Sequence, residues 1–137
     1  MTSFPMKTTR IPIVTAINAG RGIPDDLADW EITGFRDIRV VAPSDPAARF
    51  MAVPVEGDSL AAVGILDGDI LICRLTTRYQ SGRIGIWQTP HGRTAKFAFI
   101  DYDQTVVLHN DADWRQTWPA DEVRLIALVD RVERDYI

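Results

Sequence analysis

Short apolar runs separated by turn residues constrain the fold of this chain more than any other feature of its sequence. The regular series of runs begins at Phe50, and glycine, proline or aspartate residues interrupt the chain between runs. Runs of this length and spacing are typical of β-strands. The pattern therefore predicts a compact, mostly antiparallel β domain. The runs cover residues 50–55, 70–75, 84–88, 94–100, 105–109 and 123–132.

The residues before and between these runs predict an extended arm and two turns. The sequence Asp-Gly-Asp at residues 67–69 supplies turn residues before a strand, and Thr-Pro-His-Gly-Arg at residues 89–93 can close a hairpin. The first fifty residues contain repeated glycine and proline and little sustained periodicity. We therefore expect an extended N-terminal arm with at most a short helical turn at residues 24–30, which begin with proline and two aspartates.

Composition and charge exclude several classes of protein. The chain has 137 residues, of which 46 % are hydrophobic and 25 % charged, as in an ordinary globular domain. Its formal net charge of −4 gives no general attraction to nucleic acid, and we expect no direct DNA binding. One cysteine and two histidines predict no metal site and no cofactor. The apolar run at residues 11–14 is too short for a signal peptide or a membrane span, so we expect a cytoplasmic protein.

One serine lies where a nucleophile could act. Ser59 follows an apolar run, in a turn with Gly57 and Asp58 that leaves backbone N–H groups free to face a substrate. The alternative is an ordinary turn in which the serine only caps the next segment. The letters Gly-Asp-Ser-Leu also resemble the GDSL esterase motif, but no late Asp-x-x-His pair completes a triad, and we reject that assignment.

A serine without a suitable histidine needs another base. A lysine can serve if burial lowers its pKa, and the chain contains only Lys7 and Lys96. The alternation of residues 94–100 surrounds Lys96 with apolar side chains, which favours the neutral amine. The alternative is a lysine that protects an edge strand from aggregation. One face carries Lys96 with Thr94, Ala98 and Ile100, and the other carries Ala95, Phe97 and Phe99.

These features together resemble the Ser/Lys peptidase domain of the LexA and UmuD family. The lysine follows the serine by 37 residues, with the acidic turn at 67–69 between them. Residues 107–110 and the following Trp114 resemble the family's apolar-then-asparagine segment, and residues 22–30 resemble the stretch after the cleavage site of UmuD-like members. The resemblance extends from about residue 14 over nearly the whole chain. It implies a compact LexA/UmuD-like peptidase β-fold with at most short helical turns.

The resemblance implies a self-cleaving serine peptidase. Ser59 matches the nucleophile and Lys96 the neutral general base, while the backbone N–H groups of Ser59 and Asp58 would form the oxyanion hole. Asp67 and Asp69 also match family positions, and we assign them to the turn, because a carboxylate beside the lysine would keep it charged.

The family cuts between a small residue and glycine. We place the cleavage site at Ala19-Gly20, with Arg21-Gly22 as the runner-up, because an arginine side chain would be desolvated next to the base. The corresponding domain division is an N-terminal arm with the cleavage loop at residues 1–35 and a peptidase domain at residues 36–137.

The layout resembles UmuD most closely, since fewer than twenty residues precede the cleavage loop and leave no room in this chain for a helix-turn-helix domain. The implied role is in the SOS response to DNA damage, with a RecA-type filament and a translesion polymerase as partners. We also expect a homodimer, in which a second copy covers the edge of the 125–132 strand. Two alternatives stay open, namely a non-catalytic dimerisation or interaction module of the same fold and the C-terminal domain of a LexA-like or phage repressor.

The remaining notable residues favour structural roles. We interpret Cys73 as a small buried hydrophobe. We interpret the tryptophans as core or dimer-contact residues. They are Trp30, Trp87, Trp114 and Trp118.

Overall fold

The computed structural model describes residues 6–16, 30–41 and 49–135. In this part of the chain the only helical elements are two short 3₁₀ helices, Ala61–Val63 and Ala120–Glu122. The predicted mostly-β fold is confirmed. The strands are β1 (Met6–Ala16), β2 (Trp30–Val41), β3 (Phe50–Pro54), β4 (Ile70–Leu75), β5 (Gly85–Thr89), β6 (Gly92–Ile100), β7 (Thr105–His109), β8 (Arg115–Pro119) and β9 (Arg124–Glu133).

The strands form one mixed sheet in the order β2-β1-β3-β4-β9-β5-β6-β7-β8. Every neighbouring pair is antiparallel except β1 and β3, which are parallel. The predicted hairpin at residues 89–93 is confirmed, because Thr89 pairs with Gly92 across a two-residue loop. The predicted turn at residues 67–69 is also present, and Gly68 has a positive φ there.

The six predicted strands are all present, and three further strands were not predicted. β8 was missed because Trp118 is its only buried residue, so its sequence lacks an apolar run. The N-terminal arm is extended as expected, but its described residues pair with each other as β1 and β2. The predicted helical turn at residues 24–30 lies outside the described residues except for Trp30, which begins β2. Residues 35 and 36, where we divided the chain, are adjacent in β2.

One expectation about the sheet is wrong. We placed the 125–132 strand at an exposed edge, whereas β9 pairs with β4 on one side and with β5 on the other. The apolar sequence of its first half fits this interior position, since residues 125–129 contribute buried side chains to two different clusters. The edge-based reason for a homodimer is therefore lost, and β2 and β8 are the two outer strands of the described sheet.

Apolar side chains cover both faces of the sheet. On β3 and β4, Met51 and Leu71 belong to one buried cluster, and the adjacent Ala52 and Ile72 belong to another. A third cluster, around Trp87, fills the space between β9 and β6–β8. Cys73 is fully buried, as predicted.

The sheet curls so that β2, one of its outer strands, approaches β9 near its middle. Arg36 of β2 donates from Nε to Glu133 of β9 at 2.8 Å, and its terminal nitrogens bond Asp135. Arg131 of β9 donates to the carbonyl oxygen of Arg39 at 2.7 Å. These contacts cross over the buried cluster around Ile72, because Arg131 is paired with Ile72 across β9 and β4. Among the described residues, no helix is long and apolar enough to span a membrane.

Candidate active site

Ser59 lies in the turn that follows β3, and the local sequence holds this turn in place. Gly57 has φ +85°, a conformation that glycine adopts without strain, and its N–H donates to Asp67 Oδ1 at 2.8 Å. Leu60, directly after the serine, is buried in the core. The side chain of Ser59 therefore remains exposed on a segment fixed on both sides.

The two aspartates of the following turn are structural, as predicted. Asp67 accepts the Gly57 bond, and Asp69 accepts the N–H of Leu66 at 2.8 Å. Asp69 is almost completely buried, and Arg134 donates to both of its carboxylate oxygens, at 2.6 and 2.8 Å. The hydrogen bonds from Arg134 and Leu66 lower the pKa of Asp69 to about 2.

Lys96 lies on β6, which is an interior strand between β5 and β7. The alternative interpretation as a protective edge-strand lysine is therefore wrong. The carbonyl oxygen of Lys96 accepts a hydrogen bond from Trp87 Nε1 at 3.1 Å. The indole reaches that oxygen by passing over Gly85, where an added Cβ would lie 2.7 Å from Nε1. The pairing of Gly85 with Lys96 thus lets a core tryptophan fix the backbone that carries the lysine.

The structure brings Ser59 and Lys96 together. Lys96 Nζ lies 3.3 Å from Ser59 Oγ, within hydrogen-bonding distance. The same nitrogen lies 3.0 Å from Thr94 Oγ1 and 3.2 Å from the carbonyl oxygen of Ala95. These contacts aim the amine at the serine hydroxyl, and the geometry is suitable for proton transfer between them.

The surroundings of Lys96 favour its neutral form. The residue is 7 % exposed, and no carboxylate of the described residues lies within ion-pair distance of Nζ. Burial lowers the pKa of Lys96 below its ordinary value. The indole of Trp114 covers the amine, with its ring centroid 5.0 Å from Nζ.

Asn110 links the serine turn to this covering residue. Its Nδ2 donates to the carbonyl oxygen of Ser59 at 3.0 Å, while its Oδ1 accepts the N–H groups of Ala112 and Trp114 at 2.9 and 3.1 Å. Asn110 is itself buried. One amide therefore links the turn of Ser59 to Trp114, and both of these residues contact Lys96 Nζ.

Donors for an oxyanion are present beside the serine. The backbone N–H groups of Asp58 and Ser59 donate to no acceptor in the described part of the chain. The carbonyl of Asp58 accepts the N–H of Ala61, which orients the peptide units that lead into the 3₁₀ helix. Two free N–H groups next to a nucleophile can stabilise negative charge on a carbonyl oxygen.

A cavity of about 210 Å³ opens beside the pair. Its wall includes Val53, Leu71 and Ile86 from the sheet, which give it an apolar floor. The charged residues Glu56 and Arg93 also line it, and the guanidinium of Arg93 lies 4.3 Å from the centroid of the Trp30 ring.

The structure adds to or changes several interpretations of the sequence. Thr94 was placed on the correct face, but its bond to the amine was not foreseen. Trp114 was interpreted as a core or dimer-contact residue, whereas it is 37 % exposed and covers Lys96. The two proposed cleavage positions, Ala19-Gly20 and Arg21-Gly22, lie outside the described residues. Among the residues described, no group of three or more His, Cys, Asp and Glu side chains could hold a metal ion.

Comparisons with known proteins identify a matching family and several similar proteins. The sequence model of a family described as Peptidase S24-like matches residues 12–129. A LexA repressor from Lactobacillus delbrueckii subsp. bulgaricus is 31 % identical over 98 residues, which are 72 % of this chain and 46 % of the relative. A LexA repressor from Leptospira interrogans is 30 % identical over 107 residues, which are 76 % of this chain and 49 % of the relative. The chain spans about half the length of the curated relatives it matches.

Proposed function

The chain belongs to the Peptidase S24-like family, and from this membership we propose that it is a serine endopeptidase that cleaves its own N-terminal arm with Ser59 and Lys96. The single observation that carries the proposal is the 3.3 Å separation of Lys96 Nζ and Ser59 Oγ. It is supported by the absence of a counter-charge at Lys96 in the described residues, because a free amine is required of a base.

The proposed reaction has two halves. Neutral Lys96 Nζ takes the proton of Ser59 Oγ while that oxygen forms a bond to the carbonyl carbon of the scissile peptide. The N–H groups of Ser59 and Asp58 stabilise the negative oxygen of the tetrahedral intermediate. The C–N bond then breaks, and the Lys96 ammonium returns the proton to the leaving amine. Water attacks the resulting ester with Lys96 again as the base, which frees Ser59.

We propose Ala19-Gly20 as the bond that is cut, with Arg21-Gly22 as the runner-up. The apolar floor of the cavity favours alanine before the bond. Glu56 in the cavity wall could offset the charge of Arg21, which keeps the second bond in consideration. Intact-mass analysis separates the two, since the C-terminal product begins at Gly20 in one case and at Gly22 in the other.

We propose a cellular role in the SOS response to DNA damage. The matched relatives are LexA repressors, which favours a repressor-like role for a protein that carries this domain. The UmuD-like alternative, in which the cleaved protein acts with a translesion polymerase, rests on the resemblance of the layout. In both roles a RecA-type filament would stimulate cleavage, and a homodimer stays part of the proposal.

The experiment is incubation of the purified chain at alkaline pH, followed by intact-mass measurement under denaturing conditions. We expect the loss of about twenty N-terminal residues, and no cleavage in Ser59→Ala. Ser81→Ala serves as the matched control, since Ser81 is exposed in a turn and does not line the cavity, and it should cleave at the parent rate. An uncut parent chain at every pH would instead support the non-catalytic module, and cleavage that persists in Ser59→Ala would exclude this nucleophile.

A further inference from the structure

We propose that the strand β1 stays bound in the sheet after the arm is cut, so that cleavage produces a nicked two-chain protein and not a free fragment. This inference rests on the proposed function only for the origin of the cut. Both proposed bonds lie between β1 and β2 in the sequence, and the described contacts that hold β1 in the sheet are made by residues of β2, β3 and the core.

The first argument is the position of β1 within the sheet. β1 is an interior strand, with β2 on one side and β3 on the other. Its pairing with β2 extends from Met6, opposite Val41, to Ala16, opposite Trp30. On the other side, Ile13 is paired with Ala52 of β3 in a parallel arrangement. Removing the strand would therefore break backbone pairing on both of its sides at once.

The second argument is the burial of β1 side chains on both faces of the sheet. Ile11 is 2 % exposed and belongs to the cluster with Ile38 and Ile72. Val14 is fully buried in the cluster that contains Met51 and Leu71. Because these two residues are three apart in an extended strand, their side chains point to opposite faces of the sheet and belong to different clusters. Loss of β1 would leave a cavity in each cluster.

The third argument is that the partner strand is itself anchored without the connection. Arg36 of β2 bonds Glu133 and Asp135 near the end of β9, and Arg131 bonds the carbonyl of Arg39. On its β1 side, the hydroxyl of Thr33 donates to the carbonyl of Ile13 at 3.4 Å. β2 therefore keeps its place when the peptide between the two strands is cut, and the site for β1 remains formed.

The surface that β1 occupies has a defined chemistry. It is a slot between β2 and β3 that accepts an extended strand with bulky apolar side chains at the positions of Ile11 and Val14. The occupant is this chain's own β1. The corresponding strand of a second copy has the same chemistry, and exchange between copies would leave the fragment bound in a larger assembly.

The test compares native and denaturing separations of the cut protein. After self-cleavage, denaturing mass spectrometry should show two pieces, and native size exclusion should show them eluting together with one-to-one stoichiometry. A fragment that separates completely on the native column at micromolar concentration would overturn the proposal. A peak at twice the mass of the nicked protein, together with exchange of the strand between differently labelled copies, would overturn retention within one chain. It would show that a second copy holds the fragment instead.

A second cut makes the result independent of self-cleavage. A recognition sequence for a site-specific protease is inserted between Arg21 and Gly22 of the Ser59→Ala chain, which the added protease then cuts. Co-elution of the two pieces here supports retention even if the parent chain proves unable to cut itself. Separation here overturns retention while leaving the peptidase proposal intact.

Substitutions in β1 measure the strength of binding. Displacement of the labelled fragment by a synthetic peptide of residues 1–19 gives the dissociation constant of the N-terminal fragment from the rest of the chain. Ile11→Ala should raise it by about 30-fold or more, because the buried methyl groups are lost. Thr8→Ala, at an exposed position of the same strand, should change it by less than about threefold. If the Ile11 variant fails to fold before it is cut, Val14→Ala provides a second measurement of the same effect. Equal effects of buried and exposed substitutions would contradict specific binding of β1 between β2 and β3.

Discussion

Two buried ionisable side chains, Asp69 and Lys96, have contrasting hydrogen-bond partners. Asp69 lies in the turn before β4 and accepts hydrogen bonds from Nε and Nη2 of Arg134 and from the N–H of Leu66. Lys96 lies on β6 and is bonded to a serine hydroxyl, a threonine hydroxyl and a carbonyl, all of them uncharged. Within the described parts of the chain, Asp69 has a partner of opposite charge and Lys96 has none.

This difference separates a structural role from a chemical one. The bonds to Asp69 favour its charged form and lower its pKa, so they contribute to the stability of the turn that holds Gly57. Burial favours the neutral form of Lys96 and also lowers its pKa, and no carboxylate of the described residues opposes this effect. A paired carboxylate next to the lysine would have removed the free amine, and the fold keeps the two arrangements apart.

The largest effect is expected from Lys96→Met. Self-cleavage should fall by about 10³-fold or more, because no base remains for Ser59. The Tm at neutral pH should stay equal to or exceed that of the parent, since a buried amine without a counter-charge has been removed. Lys96→Arg, which keeps a cation that cannot deprotonate, should also fail to cleave. Cleavage at the parent rate in either variant would contradict the assignment.

A smaller effect, on stability and not on chemistry, is expected from Asp69→Asn. At neutral pH the Tm should fall by about 5 °C or more, as the charge-assisted bonds from Arg134 are lost. The folded pKa of Asp69 is about 2 against an ordinary value of 3.8, so its contribution is complete above pH 3.8 and disappears as the pH falls through 2. Thermal melts of both proteins should therefore converge in acid. The folded variant should still cleave itself, and loss of cleavage at temperatures where it is folded would break the comparison.

The smallest effect is expected from Trp114→Ala, which exposes the lysine to water. Water stabilises the ammonium and raises the pKa of Lys96, so the cleavage profile should move to higher pH and the neutral rate should fall by about tenfold. The interaction of the ring with the cation acts in the opposite direction, but at about 0.5–2 kcal/mol it is weaker than the desolvation of a buried amine.

Two variants control for other consequences of removing that aromatic ring. Trp114→Phe should stay close to the parent, and Tyr102→Ala, which removes a fully exposed ring, should leave the profile unchanged. A shift of the Trp114→Ala profile towards lower pH would show that the ring mainly stabilises the ammonium.

The pairing of Ser59 with Lys96 was predictable because few residues could supply that chemistry and because their spacing resembles that of the LexA and UmuD family. The chain has two lysines, and only Lys96 lies in a predicted strand with apolar neighbours on both faces. Six strands could also be predicted, since each has an apolar run bounded by turn residues. Their order could not, because β9 takes its place between β4 and β5 through pairings distant in sequence.

The supporting residues of the site could not be found in the same way. The role of Asn110 depends on a turn from β7 to β8 that closes over Ser59 only in the folded chain. The role of Trp87 depends on Gly85 leaving space for its indole beneath Lys96. Both are tertiary contacts between residues that local patterns describe as core or turn, and the polar sequence of β8 hides that strand altogether.

The most direct test of the central claim is the rate of self-cleavage as a function of pH, measured by intact mass on the folded parent chain. Because the pKa of Lys96 is lowered by burial, the fraction of free amine grows with pH, and the rate should rise from neutral pH and level off below the ordinary lysine value of 10.5. The Ser59→Ala chain should remain uncut throughout. A rate that is flat, or that falls above neutral pH while circular dichroism shows the chain still folded, would contradict a lysine base.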